Sequence, residues 1–334
     1  MDYRQAGVDI EAGNEVVRRI RQLLTRFPQP PEVVEGIGGF AGRYRWQGAG
    51  DLVAGADGVG TKILLAQALD RFDTIGIDLV AMNVNDVLAA GGRPLFFLDY
   101  IAVGRVNPDR LERVLEGVAV GCQEAGCALL GGETAEMPDV YGAEGMDLAG
   151  FAVGEVIWQR PRDPAPGDLA VGLASSGFHA NGFSLIRAII RAASLDLDRV
   201  YPESGEAVPL GQALLRPTRI YVGAVLPLLT DGTVVGMAHI TGGGLTENLP
   251  RALPRGLGVR LRPTSWPVPP LMFWLARLGA VPEEEMRRTF NCGLGFVLLV
   301  PPERLARVQQ HLGAAGIPAF AVGEVVPGEG VEWA

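Results

Sequence analysis

Lysine is almost missing from this chain: of its 29 basic residues 28 are arginine, which leaves Lys62 alone. A general preference for arginine accounts for the other positions. The single place that keeps a compact ammonium, which a planar guanidinium does not mimic, therefore marks a neighbourhood to examine. Positive charge is short overall, with 29 basic against 38 acidic residues and a net charge of −9. That balance excludes nucleic acid as an expected partner, because backbone binding depends on clustered Lys and Arg. Any phosphate handled here must meet a local electropositive pocket. Cysteine is scarce as well. Cys122, Cys127 and Cys292 are odd in number and lack paired C-x-x-C spacing, which excludes a zinc site or a disulfide framework. Cys122 and Cys127 read as small buried residues of a helix. No apolar run approaches the roughly 18 residues of a membrane span. The opening Met1-Asp2-Tyr3-Arg4-Gln5 lacks the basic and then apolar pattern of a secretory signal. No membrane partner and a cytoplasmic location are expected.

What is present is ample core material: 334 residues, 48% hydrophobic and 20% charged. That length predicts two domains. The stretch 159–168 (QRPRDPAPGD) holds three prolines and several charges, so the boundary is placed there, giving 1–160 and 169–334. In the first part the pattern predicts a strand at 52–56, a glycine-rich loop at 57–61, helices at 62–72, 78–90 and 109–127, and strands at 95–103, 128–130 and 148–158. In the second it predicts strands at 169–174, 234–240, 296–300 and 319–326, with helices at 182–193, 218–229 and 303–315. Strands alternating with helices on both sides of the linker point to α/β or α+β layers in each domain.

The strongest local signal is Gly55-Ala56-Asp57-Gly58-Val59-Gly60-Thr61-Lys62. Its glycines let backbone N–H groups approach an anion, the following helix offers its positive end, and Lys62 adds a full charge. These parts suit a polyphosphate. The order Gly60-Thr61-Lys62 is not that of a Walker A motif, so a P-loop fold does not follow. On the helix at 78–90, Asp78 and Asp86 lie two turns apart on one face with Asn85 beside them. Oxygen ligands of this kind suit Mg²⁺, which relies on one or two carboxylates plus substrate phosphates. Asp78 is equally readable as a helix N-cap. Gly131-Gly132-Glu133-Thr134 is expected to be a turn at a strand end, with Glu133 a further ligand candidate or a cap.

The second part supplies two polar loops, Ser175-Ser176-Gly177-Phe178-His179-Ala180-Asn181-Gly182 and His239-Ile240-Thr241-Gly242-Gly243-Gly244. Each carries a histidine beside glycine, and imidazoles move protons near pH 7. His179 and His239 are thus proton-transfer candidates or structural hydrogen-bonders, whereas His311 sits in a helical pattern and reads as solvated. Cys292 has no partner that would make it a nucleophile.

Taken together these segments resemble the phosphoribosylformylglycinamidine cyclo-ligase family, also called the aminoimidazole ribonucleotide synthetases. The likeness runs through AGVDI at 6–10, DGVGTK at 57–62, GIDLVAMNVND at 76–86, PLFFLDY at 94–100, GGETAEMP at 131–138, SSGFHANGFSL at 175–185, PTRIYV at 217–222, AHITGGG at 238–244 and TFNCG at 289–293. The resemblance implies an ATP- and Mg²⁺-dependent ligase of purine synthesis that converts formylglycinamidine ribonucleotide to aminoimidazole ribonucleotide through an imidate phosphate. It implies a two-domain ATP-binding synthetase fold, α/β (α+β), whose N-terminal domains share a β-barrel in a homodimer. Asp57, Gly58, Gly60, Thr61 and Lys62 then correspond to the nucleotide loop, with Asn85, Asn181, Thr241, Gly242 and Gly243 as further cofactor-binding candidates. Asp57, Asp86 and Glu133 become the metal candidates, and Lys62, His179 and His239 the catalytic ones.

Two departures stand out: Phe178 and Ala180 replace residues expected as Pro and Ser, and Leu245-Thr246 replaces an aromatic pair. Neither removes a candidate catalytic group. Rival readings are a sister enzyme of the same superfamily, or a nucleotide-binding protein without turnover. Selenophosphate synthetase would need a reactive Cys near the start, and none precedes Cys122.

Overall fold

The computed structural model describes residues 1–8, 10–26, 30–35, 39–46 and 50–334. Part of the AGVDI motif, Asp9, lies outside them. The first half runs α1 (Ile10–Leu24), β1 (Val33–Glu35), β2 (Gly42–Trp46), β3 (Gly50–Gly58), α2 (Ile63–Ala68), α3 (Ile75–Ala89), β4 (Gly92–Val103), α4 (Pro108–Ala125), β5 (Ala128–Glu136), α5 (Pro138–Tyr141) and β6 (Met146–Val156). Its six strands form one sheet in the order β1-β2-β3-β6-β4-β5, antiparallel except for the β4–β5 pair.

The second half follows with β7 (Leu169–Ala174), α6 (Phe183–Ala192), α7 (Leu210–Leu214), α8 (Val222–Leu229), β8 (Gly236–His239), α9 (Gly244–Asn248), β9 (Leu257–Leu261), α10 (Pro270–Leu278), α11 (Glu283–Thr289), β10 (Leu294–Val300), α12 (Leu305–Ala314), β11 (Ala319–Pro327) and β12 (Gly330–Trp333). A second six-stranded sheet has the order β12-β9-β11-β7-β10-β8, with only β12–β9 parallel.

Helix α3 holds the halves together. It is apolar almost all round, so it can only sit inside the protein, and 13 of its 15 residues are buried. One side packs on the first sheet and the other on α4. There Gly76 and Gly117 allow backbone-to-backbone contact: a Cβ on Gly76 would fall 2.2 Å from Val114 O. Three of its polar side chains, those of Asp78, Asn85 and Asp86, meet the second half. Asp78 Oδ1 accepts from Thr218 N–H at 2.7 Å and from the Thr218 hydroxyl at 2.6 Å. Asn85 Oδ1 accepts from Tyr221 N–H, and its amide donates to Arg219 O, both at 2.9 Å.

Three elements differ from expectation for tertiary reasons. The helix expected from residue 218 begins at Val222, because residues 217–221 stay extended to satisfy Asp78 and Asn85. Strand β3 continues through Asp57 and Gly58, which pair with Gly150 and Ala149 of β6. Residues 131–134 are not a turn at a strand end but the middle of β5, where Gly132 pairs with Asp99 and Glu133 with Tyr100. His311 is not merely solvated, since its Nε2 lies 2.9 Å from Ala224 O of α8.

Candidate active site at the seam of the two sheets

The end of β3 delivers Asp57 to the start of the glycine loop, facing α3. Asp57 is in register with Gly150, Asp99 and Gly132 across the sheet, and Val53, two residues per step along the same face, is fully buried under the helices. From α3, Asp86 points to the same seam and is a fifth exposed. The carboxyl of Asp57 is pushed up to about 6, first by burial and then by the neighbouring Asp86 charge, against the Gly58 N–H and His239. Two carboxylates that repel each other in a half-buried seam are a donor set that a hard divalent cation relieves.

Across the seam, β8 ends at His239, which is fully buried, and its Nδ1 stands 2.9 Å from Asp86 Oδ1. Phe296 of β10 stacks on its ring at a centroid distance of 6.2 Å. With Nδ1–H donating to the carboxylate, Nε2 is left as the free lone pair, and it has no protein partner. The sequence showed both residues but not their pairing, because 153 positions separate them.

His179 is also buried and takes a left-handed φ of 61°. The Ser176 N–H donates to its Nε2 at 3.2 Å, so Nδ1 carries the proton and Nδ1 has no partner. Burial first, then the charges of His239, Lys62 and Arg219, hold its pKa well below the usual imidazole value, so it is neutral. The ring leaves no room on its neighbour: a Cβ on Gly295 would fall 2.2 Å from His179 Cε1 and from the Tyr221 hydroxyl.

The glycine loop reaches this place, although not as expected. Gly60, at φ 55°, is exposed beside Ala180 O, and the Thr61 hydroxyl lies 2.9 Å from that of Ser184. Lys62 turns inward. It is fully buried, with Nζ 2.7 Å from Asp78 Oδ2 and donating to Arg216 O at 2.7 Å, its ammonium 5.4 Å from the centre of the Phe183 ring. Burial drives both partners toward their neutral forms, the ion pair opposing it. Lys62 Nζ thus faces Asp78 and the Arg216 carbonyl in the interior. Asp78 is not a cap, since α3 starts at Ile75 without a side-chain cap.

Asn85 is buried, with its amide oxygen accepting from Tyr221 N–H and its amide N–H donating to Arg219 O. Glu133 stands apart from Asp57 and Asp86 within this chain. Its register partner Tyr100 neighbours Asp99, whose side faces the helices, so Glu133 projects from the opposite face of the sheet to Asp57. Among the described residues no three acidic, His or Cys side chains gather to hold a metal.

The second polar turn completes the seam. Gly243 takes φ 93°, and Asn248 Nδ2 donates to Gly242 O at 3.1 Å and Gly244 O at 2.9 Å, fixing the turn from within. Asn181 Oδ1 stands where a Cβ on Gly242 would lie 3.7 Å away. Thus Asn181, Thr241, Gly242 and Gly243 are brought together with Asp57, Asp86 and His239. Asn248 had no signal in the sequence beyond its place after TGGG. Leu245, one of the departures, is fully buried and packs in the second core.

Models of two families match the chain: AIR synthase related protein, N-terminal domain, over residues 38–156, and the corresponding C-terminal domain over 165–333. The chain belongs to the AIR synthase family. Curated relatives named phosphoribosylformylglycinamidine cyclo-ligase include those of Desulfitobacterium hafniense, 54% identical over 97% of this chain and 96% of the relative, and Gloeobacter violaceus, 53% identical over all of both. Among solved structures, tt0281 from Thermus thermophilus aligns with a TM-score of 0.63 at 24% identity over 95% of each chain. AaThiL complexed with AMPPCP and TMP aligns with a TM-score of 0.65 at 19% identity, over 94% of this chain and 92% of that one. The fold is therefore that of the AIR synthase family. No helix among the described residues is long and apolar enough to cross a membrane.

Proposed function

We propose that this chain is an ATP-dependent cyclo-ligase of purine biosynthesis, converting formylglycinamidine ribonucleotide and ATP to aminoimidazole ribonucleotide, ADP and phosphate. The family relatives support the reaction, and one observation carries its placement: the Asp86–His239 pair, with a free imidazole Nε2, beside Asp57 and two glycine turns. An amide oxygen is a poor leaving group. Transfer of the γ-phosphoryl to it gives an imidate phosphate, the amidine nitrogen attacks the activated carbon, and phosphate departs.

In this reading the backbone N–H groups of Gly60, Thr61, Gly242 and Gly243 hold phosphates, with Gly58, Asn181 and Thr241 at their edge. Asp57 and Asp86 fit a magnesium ion as its only two protein carboxylates, and such an ion would neutralise charge on the polyphosphate. His239 Nε2 accepts the amidine proton while Asp86 stabilises the imidazolium. His179, kept neutral with its proton on Nδ1, donates a hydrogen bond and does not act as a base. Lys62 serves by locking the glycine loop to the second half through Asp78 and Arg216.

The test is incubation with formylglycinamidine ribonucleotide, ATP and Mg²⁺ while following ADP and the imidazole product together. Equal amounts of both are expected. ADP without imidazole would move the chain to a sister phosphoryl transferase, and neither product would leave a binding protein without turnover.

A homodimer is part of the proposal. The first sheet carries Tyr44 and Phe151 on its outer face, exposed by 40% and 43%, and β5, whose Leu130 is 63% exposed, has an unpaired edge among the described residues. Apolar area of this kind beside a free strand edge asks for a cover. Sedimentation should give a dimer for the parent and a monomer for Leu130→Asp with Phe151→Asp. A monomeric parent at micromolar concentration would sink the idea. A cytoplasmic location belongs to the same reading.

A further inference from the structure

Helix α4 ends in a Schellman cap. Gly126 takes φ 69°, its N–H donates to Gln123 O at 3.2 Å, and the Cys127 N–H donates to Cys122 O at 3.0 Å. This motif brings together the side chains at the two ends of its longer bond, ordinarily as an apolar contact. Here both ends are cysteine. A direct N–H···O bond keeps the two Cα atoms within about 7 Å, the span over which a disulfide closes without backbone movement. The two thiols are neighbours, and the protonation of each bears on the other. Their access differs: Cys122 is 3% exposed, whereas Cys127 is half-buried just before β5.

We propose that Cys122 and Cys127 form a redox-reactive dithiol, in which Cys127 attacks a low-molecular-weight disulfide and Cys122 resolves the adduct. The accessible residue is the one whose thiolate is favoured: the neighbouring Cys122 thiol lowers the pKa of Cys127, while the Cys127 thiol first, then burial and the Asp99 charge, raise that of Cys122. In the first step the Cys127 thiolate bonds to one sulfur of the small disulfide, whose S–S bond breaks and releases one thiolate. Cys122 then loses its proton to that thiolate or to water and attacks the Cys127 sulfur, expelling the second. The protein dithiol is oxidised by two electrons, and the small disulfide is reduced to two thiols. The closed bond ties the last turn of α4 to the residue preceding β5. The site is separate from the seam, so it stands or falls independently of the reaction proposed above.

Cys292 is the internal control. It is buried, its Sγ donates to Met286 O at 3.6 Å, and burial pushes its thiol up to about 12. The test is intact-mass and peptide mass spectrometry of the full chain after exposure to glutathione disulfide. The expected result is loss of two hydrogens located between Cys122 and Cys127, reversed by a dithiol reductant. Cys122→Ala should stall with glutathione on Cys127, and Cys127→Ala should leave Cys122 unmodified. A parent that keeps glutathione on Cys127, that reacts first at Cys292, that forms only covalent dimers, or that does not react at all overturns the proposal.

Discussion

Asp86 and His239 meet at 2.9 Å across the seam between two sheets, one from the buried helix α3 and the other from the end of β8. The pair fixes the imidazole tautomer and leaves the buried Nε2 without a protein partner. Replacing His239 by Asn should lower kcat by about 10²- to 10⁴-fold, the usual worth of a positioned general base. The check is steady-state kinetics with circular dichroism to confirm folding. An unchanged kcat would take His239 out of the chemistry.

Lys62 and Asp78 give a prediction about stability. Lys62→Met leaves Asp78 buried and unpaired, and such losses cost about 3–5 kcal/mol. Lys62→Met together with Asp78→Asn should recover much of that cost, because the buried charge is gone while the amide oxygen still accepts from Thr218. Urea midpoints of the parent, the two single variants and the double variant measure the cycle. If Lys62→Met alone loses ATP affinity with an unchanged midpoint, the lysine binds phosphate after all.

His179 sets a pH dependence. Its folded pKa lies well below the 6.5 of a free imidazole because burial disfavours the cation. The unfolded chain therefore takes up a proton that the folded one does not as pH drops through 6.5, so its contribution is present above that pH and lost below it. The slope is at most about 1.4 kcal/mol per pH unit for one proton. Stability of His179→Asn measured from pH 7 to 5 should fall less steeply than that of the parent by up to this amount. Parallel curves would refute the neutral buried imidazole.

Gly76 separates local propensity from packing. In an isolated helix Gly→Ala is worth about 0.5–1 kcal/mol in favour of alanine. Here the new Cβ would meet Val114 O at 2.2 Å and Val118 N at 2.4 Å, both backbone atoms that cannot turn aside. Gly76→Ala should destabilise by about 1–3 kcal/mol, the usual cost of overpacking. Thermal unfolding decides the sign.

The amino-acid sequence by itself determined the family, the alternation of strands and helices, and most of the residues that gather at the seam. Asp57, Asp86, His239, Asn181 and the TGGG turn were all legible, because glycine punctuation and polar residues in apolar segments are local signals. Tertiary structure alone decided which of them face each other. Lys62 stood out by its rarity, yet its direction depends on Asp78 and on the Arg216 carbonyl, 154 positions away. Asn85 looked free on a helix and is consumed by Tyr221 and Arg219. Glu133 shares a motif style with Asp57 but stands on the other face of the sheet, because strand register, a long-range property, sets the side of each residue. Spacing along a chain fixes period and turn chemistry, whereas pairing across the seam is fixed by burial, where every polar atom must find a partner that lies far off in sequence.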